Sequence, residues 1–346
     1  MEKSNTKTKS VLIGFSGGVD SATSTHLLKE MGFDVTAYHF SVSENDPALY
    51  EAKELASQLD IPFTHENLSK EFESIVITNF VNEYINGRTP NPCIVCNPNI
   101  KFKKLRETAD RLGITYIATG HYASVTDTEK GRFISKAANL KKDQSYMLYR
   151  LPKAIVDTLI FPLSDFESKD EIRHIASETG LKNANKKDSQ EICFTDSYID
   201  FLNDKGVISK PGNFVDVNGK VIGTHKGIVN YTIGQRKGLG NTFGKPMFVL
   251  SIDEKKNTVV LGSNEDLFTT TVRSIDNFFI NDDMQSYEGK MLEAKVRYTA
   301  KPAMCRLHIE GNEIYAEFDE PQRAVTPGQS IVFYDNDLVV GGGYIK

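Results

Sequence analysis

The segment Ser10–Ser21, with the sequence SVLIGFSGGVDS, decides how the N-terminal half of this chain folds. Its apolar run Ser10–Phe15 predicts a buried β-strand, and the apolar stripe along Ser21–Met31 predicts an α-helix. Gly17 and Gly18 stand between the two, where the lack of a side chain lets the backbone approach a ligand closely. Backbone N–H groups at the start of a helix attract anions. The segment therefore predicts a strand, a tight turn and a helix, with an anion site at the turn.

Three polar side chains in this turn indicate which anion it binds. Ser16 and Ser21 can add hydroxyl donors for a phosphate. The carboxylate of Asp20 repels a phosphate unless a cation lies between them, so the turn also predicts Mg²⁺. The pattern has neither the Gly-Lys-Ser/Thr ending of a Walker A loop nor the spacing of a Rossmann turn. A turn made only for strand–helix packing is the alternative, and the two serines and the aspartate favour phosphate.

Strand and helix patterns alternate beyond this turn. The strand patterns are Val35–Phe40, Ile61–His65 and Tyr116–Thr119, and the helical patterns are Pro47–Leu59 and Lys70–Ile85. Alternation of this kind predicts a parallel sheet with helices on both faces. The first half is therefore expected to be an α/β domain.

Short strand patterns dominate the second half of the chain. Asn218-Gly219 between two of them predicts a hairpin, and the evenly spaced strand patterns that follow predict a small antiparallel β-barrel. We therefore predict three domains. These are residues 1–200 with the parallel sheet, 201–268 rich in β-structure, and 269–346 forming the barrel.

The composition narrows the class of protein. The chain has 346 residues and a net charge of −5, which argues against a uniformly basic nucleic-acid coat. A local basic face can still bind RNA phosphates. No apolar run approaches the roughly 20 residues of a membrane helix, and Met1–Ser10 lacks the apolar stretch of a signal peptide. We expect a cytoplasmic protein without a membrane segment.

Cys93 and Cys96 form a C-x-x-C pair in the segment Thr89–Asn97, TPNPCIVCN. Because two prolines precede the pair, a loop is predicted for this segment. In a reducing compartment the pair indicates half a zinc site, a redox pair or two ligands of an iron–sulfur cluster. Cys193 follows two lysines that favour its thiolate. Cys305 alternates in phase with apolar neighbours, which assigns it to the apolar face of the barrel.

Several sequence blocks resemble those of the tRNA-specific 2-thiouridylases, the MnmA/TrmU family. The blocks follow one another along essentially the whole chain, at residues 14–21, 89–102, 119–122, 142–146, 187–189, 192–194, 234–240, 296–298 and 321–329. The first resembles the PP-loop of ATP pyrophosphatases, which cleave ATP between its α- and β-phosphates. The resemblance implies an α/β fold with an adenine nucleotide α-hydrolase-like PP-loop domain. A small central β-rich domain and a C-terminal antiparallel β-barrel would follow it.

The resemblance also implies a reaction, the ATP-dependent 2-thiolation of the wobble uridine of tRNA. ATP would adenylate the C2 oxygen of uracil, so that this oxygen can leave with AMP. Cys193 would carry the incoming sulfur as a persulfide, and Cys96 would release it, leaving a Cys96–Cys193 disulfide. The implied partners are the anticodon arm of tRNA and a sulfur-donor protein.

Positions that match the family imply the residues that bind ATP and tRNA. Those for ATP with Mg²⁺ are Gly14, Phe15, Ser16, Gly17, Gly18, Val19, Asp20, Ser21, Phe40 and Gly120. Those for tRNA are Asn91, Pro92, Cys93, His121, Lys142, Asp143, Gln144, Arg297, Tyr298 and Gln329. A base in the anticodon stack has to be flipped out to reach the catalytic groups, so the later domains are expected to grip the anticodon arm.

One position departs from the family pattern. Cys93 stands where the family usually has aspartate. Related RNA thiolases that use a [4Fe–4S] cluster carry a C-x-x-C pair and one distant cysteine, and Cys93, Cys96 and Cys193 reproduce that set. Three thiolate ligands would leave one iron open to hold a sulfide. A persulfide relay and a cluster with these three ligands are therefore both open interpretations of the sequence.

Two other functions compete with RNA thiolation. A PP-loop synthetase that acts on a small molecule would explain the glycine turn, but it leaves the cysteines and the barrel without a role. A non-catalytic RNA-binding protein that retains the ATP fold would not need Ser16, Asp20, Ser21, Cys96 and Cys193, which are all intact.

Overall fold

The computed structural model describes residues 9–181, 192–240 and 243–346. It divides the chain into two compact units, each built from separate parts of the sequence. The first unit comprises Met1–Ile75, Cys93–Glu191 and Asp337–Val339, and the second comprises Val76–Pro92, Ile192–Asn336 and Val340–Lys346.

Helices and strands alternate along the first half, as the sequence predicts. In chain order they are β1 (Ser10–Gly14), α1 (Val19–Glu30), β2 (Asp34–Ser41), α2 (Ala48–Gln58), β3 (Phe63–Asn67), α3 (Ser69–Phe72), α4 (Thr78–Ile85), α5 (Pro92–Cys96), α6 (Phe102–Arg111), β4 (Tyr116–Thr119), β5 (Ser124–Thr128), β6 (Gly131–Ser135), α7 (Lys153–Val156), β7 (Leu159–Ile160), α8 (Lys169–Glu178) and α9 (Tyr198–Asp204). Two π-helical turns, Glu73–Ile77 and Asn97–Lys101, lie between neighbouring helices.

The second half of the chain is built of strands. They are β8 (Gly212–Val215), β9 (Val221–His225), β10 (Phe248–Asp253), β11 (Thr258–Gly262), β12 (Phe268–Phe279), β13 (Met291–Lys295), β14 (Ala303–Glu310), β15 (Glu313–Arg323), β16 (Ser330–Asp335) and β17 (Leu338–Ile345). Strands β8 and β9 form the antiparallel hairpin that Asn218-Gly219 predicts.

A five-stranded parallel sheet forms the framework of the first unit, which confirms the predicted α/β fold. The strand order is β3-β2-β1-β4-β7. The central strand β1 is covered on both faces, so Val11, Leu12 and Ile13 are fully buried. Gly14, the last residue of β1, pairs with Tyr38 of β2 and with Thr119 of β4. Three neighbouring strands therefore end at one edge of the sheet, where side chains that follow them can meet.

The second unit holds an antiparallel barrel, again as predicted. Its strands follow the order β12-β15-β14-β13-β16-β17, and β17 pairs with β12 to close the barrel. Cys305 lies fully buried inside it beside Leu307 and Phe333, so its assignment to the apolar face is confirmed. Strands β10, β11, β8 and β9 form a separate four-stranded sheet. The division at residues 200 and 268 stays a prediction.

The predicted loop at Thr89–Asn97 is wrong from Pro92 onward. Pro92 opens helix α5, which ends at Cys96 and runs into a π-helical turn. Proline lacks only an N–H group that has no partner in the first turn of a helix, and its fixed φ suits that position. The proline therefore starts this helix instead of preventing it.

No helix within the described parts of the chain is long and apolar enough to cross a membrane.

The buried position of Cys305 makes its thiol unreactive in the folded protein. Burial, together with the negative charge of Asp319, raises the pKa of this thiol to about 12. We expect a water-soluble thiol reagent at pH 8 to label Cys305 only after unfolding and to label the exposed Cys193 in the native state. Peptide mass spectrometry with and without denaturant measures both. Native labelling of Cys305 at the rate of Cys193 would contradict the barrel interior described above.

Candidate active site

The turn between β1 and α1 has the backbone geometry of an anion site. Gly17 adopts a φ of +74°, and a Cβ atom there would lie 3.2 Å from the Cα of Ala52. Both the backbone conformation and the close packing therefore favour glycine. Gly18 is the N-cap of α1, and none of the described side chains caps this helix. Ser16 and Ser21 face each other with their Oγ atoms 3.3 Å apart. The predicted phosphate loop therefore presents a helix N-terminus and two hydroxyl groups.

The carboxylate of Asp20 has a cationic partner from the protein itself. Its Oδ2 atom accepts a 2.7 Å hydrogen bond from Nζ of Lys169, the first residue of α8. Its Oδ1 atom accepts a 3.0 Å hydrogen bond from the hydroxyl of the buried Tyr122. Sequence reasoning expected a metal ion as the cation and missed Lys169. The capping box of Ser168 and Glu171 predicts a helix beginning at Lys169, but nothing in the sequence pairs it with a residue 149 positions away.

Gly120 brings the end of β4 against the phosphate loop. A Cβ atom at this position would lie 2.9 Å from the carbonyl carbon of Asp20 and 3.0 Å from the backbone nitrogen of Ser21. Such contacts with rigid backbone cannot be relieved by moving a side chain. The predicted ATP-binding residue Gly120 is thus packed directly on the predicted loop Gly14–Ser21.

His121, the next residue, is held as a neutral imidazole. Its Nδ1 atom lies 2.8 Å from Oγ1 of Thr119, and its Nε2 atom lies 3.5 Å from Nζ of Lys101. Desolvation of the ring and the neighbouring Lys101 charge lower the pKa of His121 well below its ordinary value. Because an ammonium group can only donate, Nε2 is the acceptor and Nδ1 carries the hydrogen.

The end of β2 carries a polar network beside the predicted ATP-binding residue Phe40. The buried His39 ring joins the carbonyl oxygen of Phe15 to Oδ2 of Asp46, each at 2.8 Å. Ser41 donates a 2.7 Å hydrogen bond to the same Asp46 oxygen. Desolvation raises the pKa of Asp46, but the hydrogen bonds from His39, Ser41 and the backbone outweigh it and lower the pKa overall. The network fixes the segment that follows β2 to the entry of the phosphate loop.

The predicted tRNA-binding segment Lys142–Gln144 is partly turned into the first unit. Asp143 is buried, and its carboxylate accepts hydrogen bonds from Ser145 and from the backbone nitrogen of Ala137. Gln144 exchanges two hydrogen bonds with the backbone of Tyr122, at 2.7 and 2.9 Å. Lys142 is exposed. Within this segment, the lysine is the side chain that the structure presents to solvent.

The two cysteines of the C-x-x-C pair lie one helical turn apart in α5. Cys93 is half-buried and Cys96 is buried, and both belong to the first unit. The following Asn97 is 1% exposed and donates a 2.8 Å hydrogen bond to the carbonyl of Met147. A π-helical turn begins at Asn97, and such turns occur often at functional sites.

The remaining predicted site residues belong to the second unit. Arg297 donates hydrogen bonds to the Ile233 carbonyl, at 3.0 Å, and to Oγ1 of Thr326. Gln329 donates a 2.8 Å hydrogen bond to the carbonyl of Thr89. The last members of this set are Asn91, Pro92 and Tyr298, all half-buried, and Cys193, which is exposed. The block at residues 187–189, together with the two lysines before Cys193, falls outside the described residues.

An iron–sulfur cluster on Cys93, Cys96 and Cys193 would need these side chains to lie together. Across the described ranges, no group of three or more histidine, cysteine, aspartate or glutamate side chains is placed to hold a metal ion. Cys93, Cys96 and Cys193 are thus not grouped as the ligands of a metal ion in the described part of the chain.

Gly120→Ala should weaken ATP binding because the new methyl group would displace the backbone of Asp20 and Ser21. We expect the dissociation constant for ATP to rise at least about tenfold, as for a displaced substrate-positioning group. Isothermal titration calorimetry measures it. Gly113→Ala is the control, since its left-handed φ of +69° adds strain while its surroundings leave the methyl group open space. Equal ATP affinity in the two variants would contradict the contact between Gly120 and the loop.

The pKa of His121 predicts a pH dependence of stability. Because the folded-state pKa lies below the unfolded value near 6.5, the unfolded chain binds more protons below that pH. The free energy of unfolding should therefore fall as the pH is lowered from 7 to 5. His121→Asn should reduce this slope by up to about 1.4 kcal/mol per pH unit, measured by urea unfolding at each pH. The same change at the exposed His174 should leave the slope in place. An unchanged slope in His121→Asn would contradict the desolvated neutral ring.

Three family models match consecutive parts of this chain. They are described as the tRNA methyl transferase HUP domain at residues 9–197, the tRNA methyl transferase PRC-barrel domain at 199–263, and the aminomethyltransferase beta-barrel domain at 271–345. The first alone covers more than half of the chain.

Full-length relatives carry one shared name. The tRNA-specific 2-thiouridylase MnmA of Clostridioides difficile is 44% identical over 357 aligned positions, covering 98% of both chains. That of Clostridium perfringens is 45% identical over 359 positions with the same coverage. Among solved structures, a 4-thiouridine synthetase in complex with RNA and ATP matches 57% of this chain and 50% of its own, with 18% identity and a TM-score of 0.38. With consecutive family models along its length and these relatives matching it almost from end to end, the chain belongs to the tRNA-specific 2-thiouridylase (MnmA) family.

Proposed function

We propose that this protein uses ATP to replace the C2 oxygen of the wobble uridine of tRNA with sulfur. The observation that carries the proposal is the near-full-length similarity to 2-thiouridylases, in a chain that also has a formed phosphate loop. The tRNA would bind through its anticodon arm. We infer a cytoplasmic location from this substrate.

The first step activates the uridine. The C2 oxygen attacks the α-phosphorus of ATP, an oxygen–phosphorus bond forms, and pyrophosphate leaves with the electrons of the bond that breaks. Residues Gly14–Ser21 would hold the polyphosphate through backbone N–H groups and the hydroxyls of Ser16 and Ser21. Phe40 and Gly120 would complete the ATP site. Mg²⁺ would neutralise phosphate charge beside Asp20.

The second step transfers sulfur. A persulfide on Cys193, loaded by a sulfur-donor protein, attacks C2, and the activated oxygen leaves with AMP. The thiolate of Cys96 then attacks the Cys193 sulfur, the persulfide S–S bond breaks, and the sulfur stays on the base as 2-thiouridine. The two protein thiols end as a Cys96–Cys193 disulfide, which a reductant has to reopen before the next turnover.

The residues that the family implies for RNA contact include an exposed residue and a group that already makes hydrogen bonds within the protein. Lys142 is exposed and would contact a tRNA phosphate. Asn91, Pro92 and Cys93 would lie near the target base. We assign Arg297, Gln329, Asp143 and Gln144 to shaping the RNA surface as well as touching it, because each already makes hydrogen bonds within its own unit. His121 and Tyr298 complete the set.

Cysteine variants test the proposal in a strain whose only copy of the gene carries the change. Cys193→Ser and Cys96→Ser should each lower 2-thiouridine by more than about 10³-fold, because each removes a nucleophile. Cys305→Ala is the control and should leave the modification intact, since that thiol is buried in the barrel. Mass spectrometry of tRNA nucleosides measures the product, and normal 2-thiouridine in Cys193→Ser would refute the relay.

Cys93→Asp separates the relay from an iron–sulfur mechanism. The relay predicts that this variant keeps 2-thiouridine near the wild-type level, because aspartate is the residue that the family usually has there. A cluster mechanism predicts that Cys93→Asp loses activity and that anaerobically purified wild-type protein contains stoichiometric iron and sulfide.

Pyrophosphate release from ATP distinguishes tRNA thiolation from a small-molecule synthetase. Thiolation requires added tRNA for this release, whereas a synthetase would require its small-molecule substrate.

A further inference from the structure

A single lysine compensates the one carboxylate in the phosphate loop. Nζ of Lys169 lies 2.7 Å from Oδ2 of Asp20. The lysine side chain is 11% exposed and the aspartate side chain is 30% exposed, so water screens this ion pair less than it screens pairs on the surface. Lys153 and Asp157 form a pair at nearly the same distance, 2.8 Å, with both side chains about half exposed.

The carboxylate is held at both oxygens. The hydroxyl of Tyr122 donates to Oδ1 while Lys169 donates to Oδ2. Tyr122 is 3% exposed, and Gln144 fixes its backbone through two hydrogen bonds. The Lys169 ammonium also lies 5.7 Å from the centre of the Tyr122 ring. Asp20 therefore has one defined position at the start of α1.

The backbone position of Lys169 is also well defined. It is the first residue of α8, and the capping box of Ser168 and Glu171 sets where that helix begins. The lysine thus reaches the loop from a defined helix terminus. Its carboxylate partner lies in the first turn of another helix, α1.

The phosphate loop carries a negative charge at Asp20, and Lys169 compensates it. An uncompensated carboxylate in the first turn of α1 would repel the polyphosphate that the same turn attracts. We propose that Lys169 is a positioning residue for ATP binding, which acts through Asp20 by cancelling its charge and fixing its orientation. The inference rests on the proposed function in that ATP is the ligand of this loop.

The test is a double-mutant cycle on ATP affinity in the full-length protein. ATP dissociation constants are measured by isothermal titration calorimetry in EDTA, so that no metal ion can substitute for the lysine charge, and for the wild type also with Mg²⁺. Lys169→Met should raise the constant at least about tenfold, because it leaves a partly buried charge unpaired. In the Asp20→Asn background the same change should cost less than about twofold, since no carboxylate remains to be cancelled.

Two further variants separate charge compensation from a general role in folding. Lys169→Arg keeps the positive charge and should stay within about threefold of the wild-type constant. Lys153→Met removes the matched surface lysine and should leave ATP affinity unchanged. The double variant Asp20→Asn/Lys169→Met contains no unpaired charge, so it provides a folded comparison even if Lys169→Met alone unfolds.

The outcomes are distinct. No loss of affinity in Lys169→Met, or the same loss with and without the Asp20 carboxylate, would overturn the inference while leaving ATP as the ligand. Wild-type protein that binds ATP only with Mg²⁺ would overturn the inference, because the metal ion and not the lysine would then compensate the carboxylate. Wild-type protein that binds no ATP even with Mg²⁺ would overturn the proposed function as well. A loss confined to the background with Asp20 supports the positioning role.

Discussion

The parallel pairing of β1 with both β2 and β4 is the constraint on which the candidate site depends. Strands of one direction end at one edge of their sheet, so the residues that follow them are brought together. The phosphate loop follows β1, the hydrogen-bond network of His39 lies at the end of β2, and Gly120 and His121 follow β4. The buried residues Val11, Leu12 and Ile13 of β1 keep this edge in place, because moving the strand would open the core of the first unit.

The close approach at Gly120 shows how little freedom the edge has. The backbone at Gly120, just after β4, meets the backbone of α1 at a distance that leaves no room for a methyl group. Tyr122, two residues after Gly120, donates a hydrogen bond from its hydroxyl to the Asp20 carboxylate. A site that has to hold a triphosphate in one arrangement gains from such rigidity, since less ordering is left for the moment of binding.

Residues that the family implies for one role often hold the protein together as well. The Asp143 carboxylate is satisfied inside the first unit, and Arg297 and Gln329 donate hydrogen bonds to backbone carbonyls of the second. A variant at any of these positions would disturb local structure in addition to any contact with RNA. Lys142 is exposed, so a variant at this position would test the proposed phosphate contact most directly.

The alternating apolar patterns determined the fold class from sequence alone, because the parallel sheet and the barrel each follow from local periodicity and turn residues. The glycine turn and the sequence blocks likewise determined the family, since each block is read within a short window. The structure decided what depends on residues far apart in the chain. Asp20 and Lys169 are 149 positions apart, and no periodicity pairs them. The same holds for the neutral state of His121, which is set by desolvation and by Lys101. The helix that begins at Pro92 is a local feature, yet the sequence predicted a loop there. Proline can open a helix or break one, and only its position in the helix decides which.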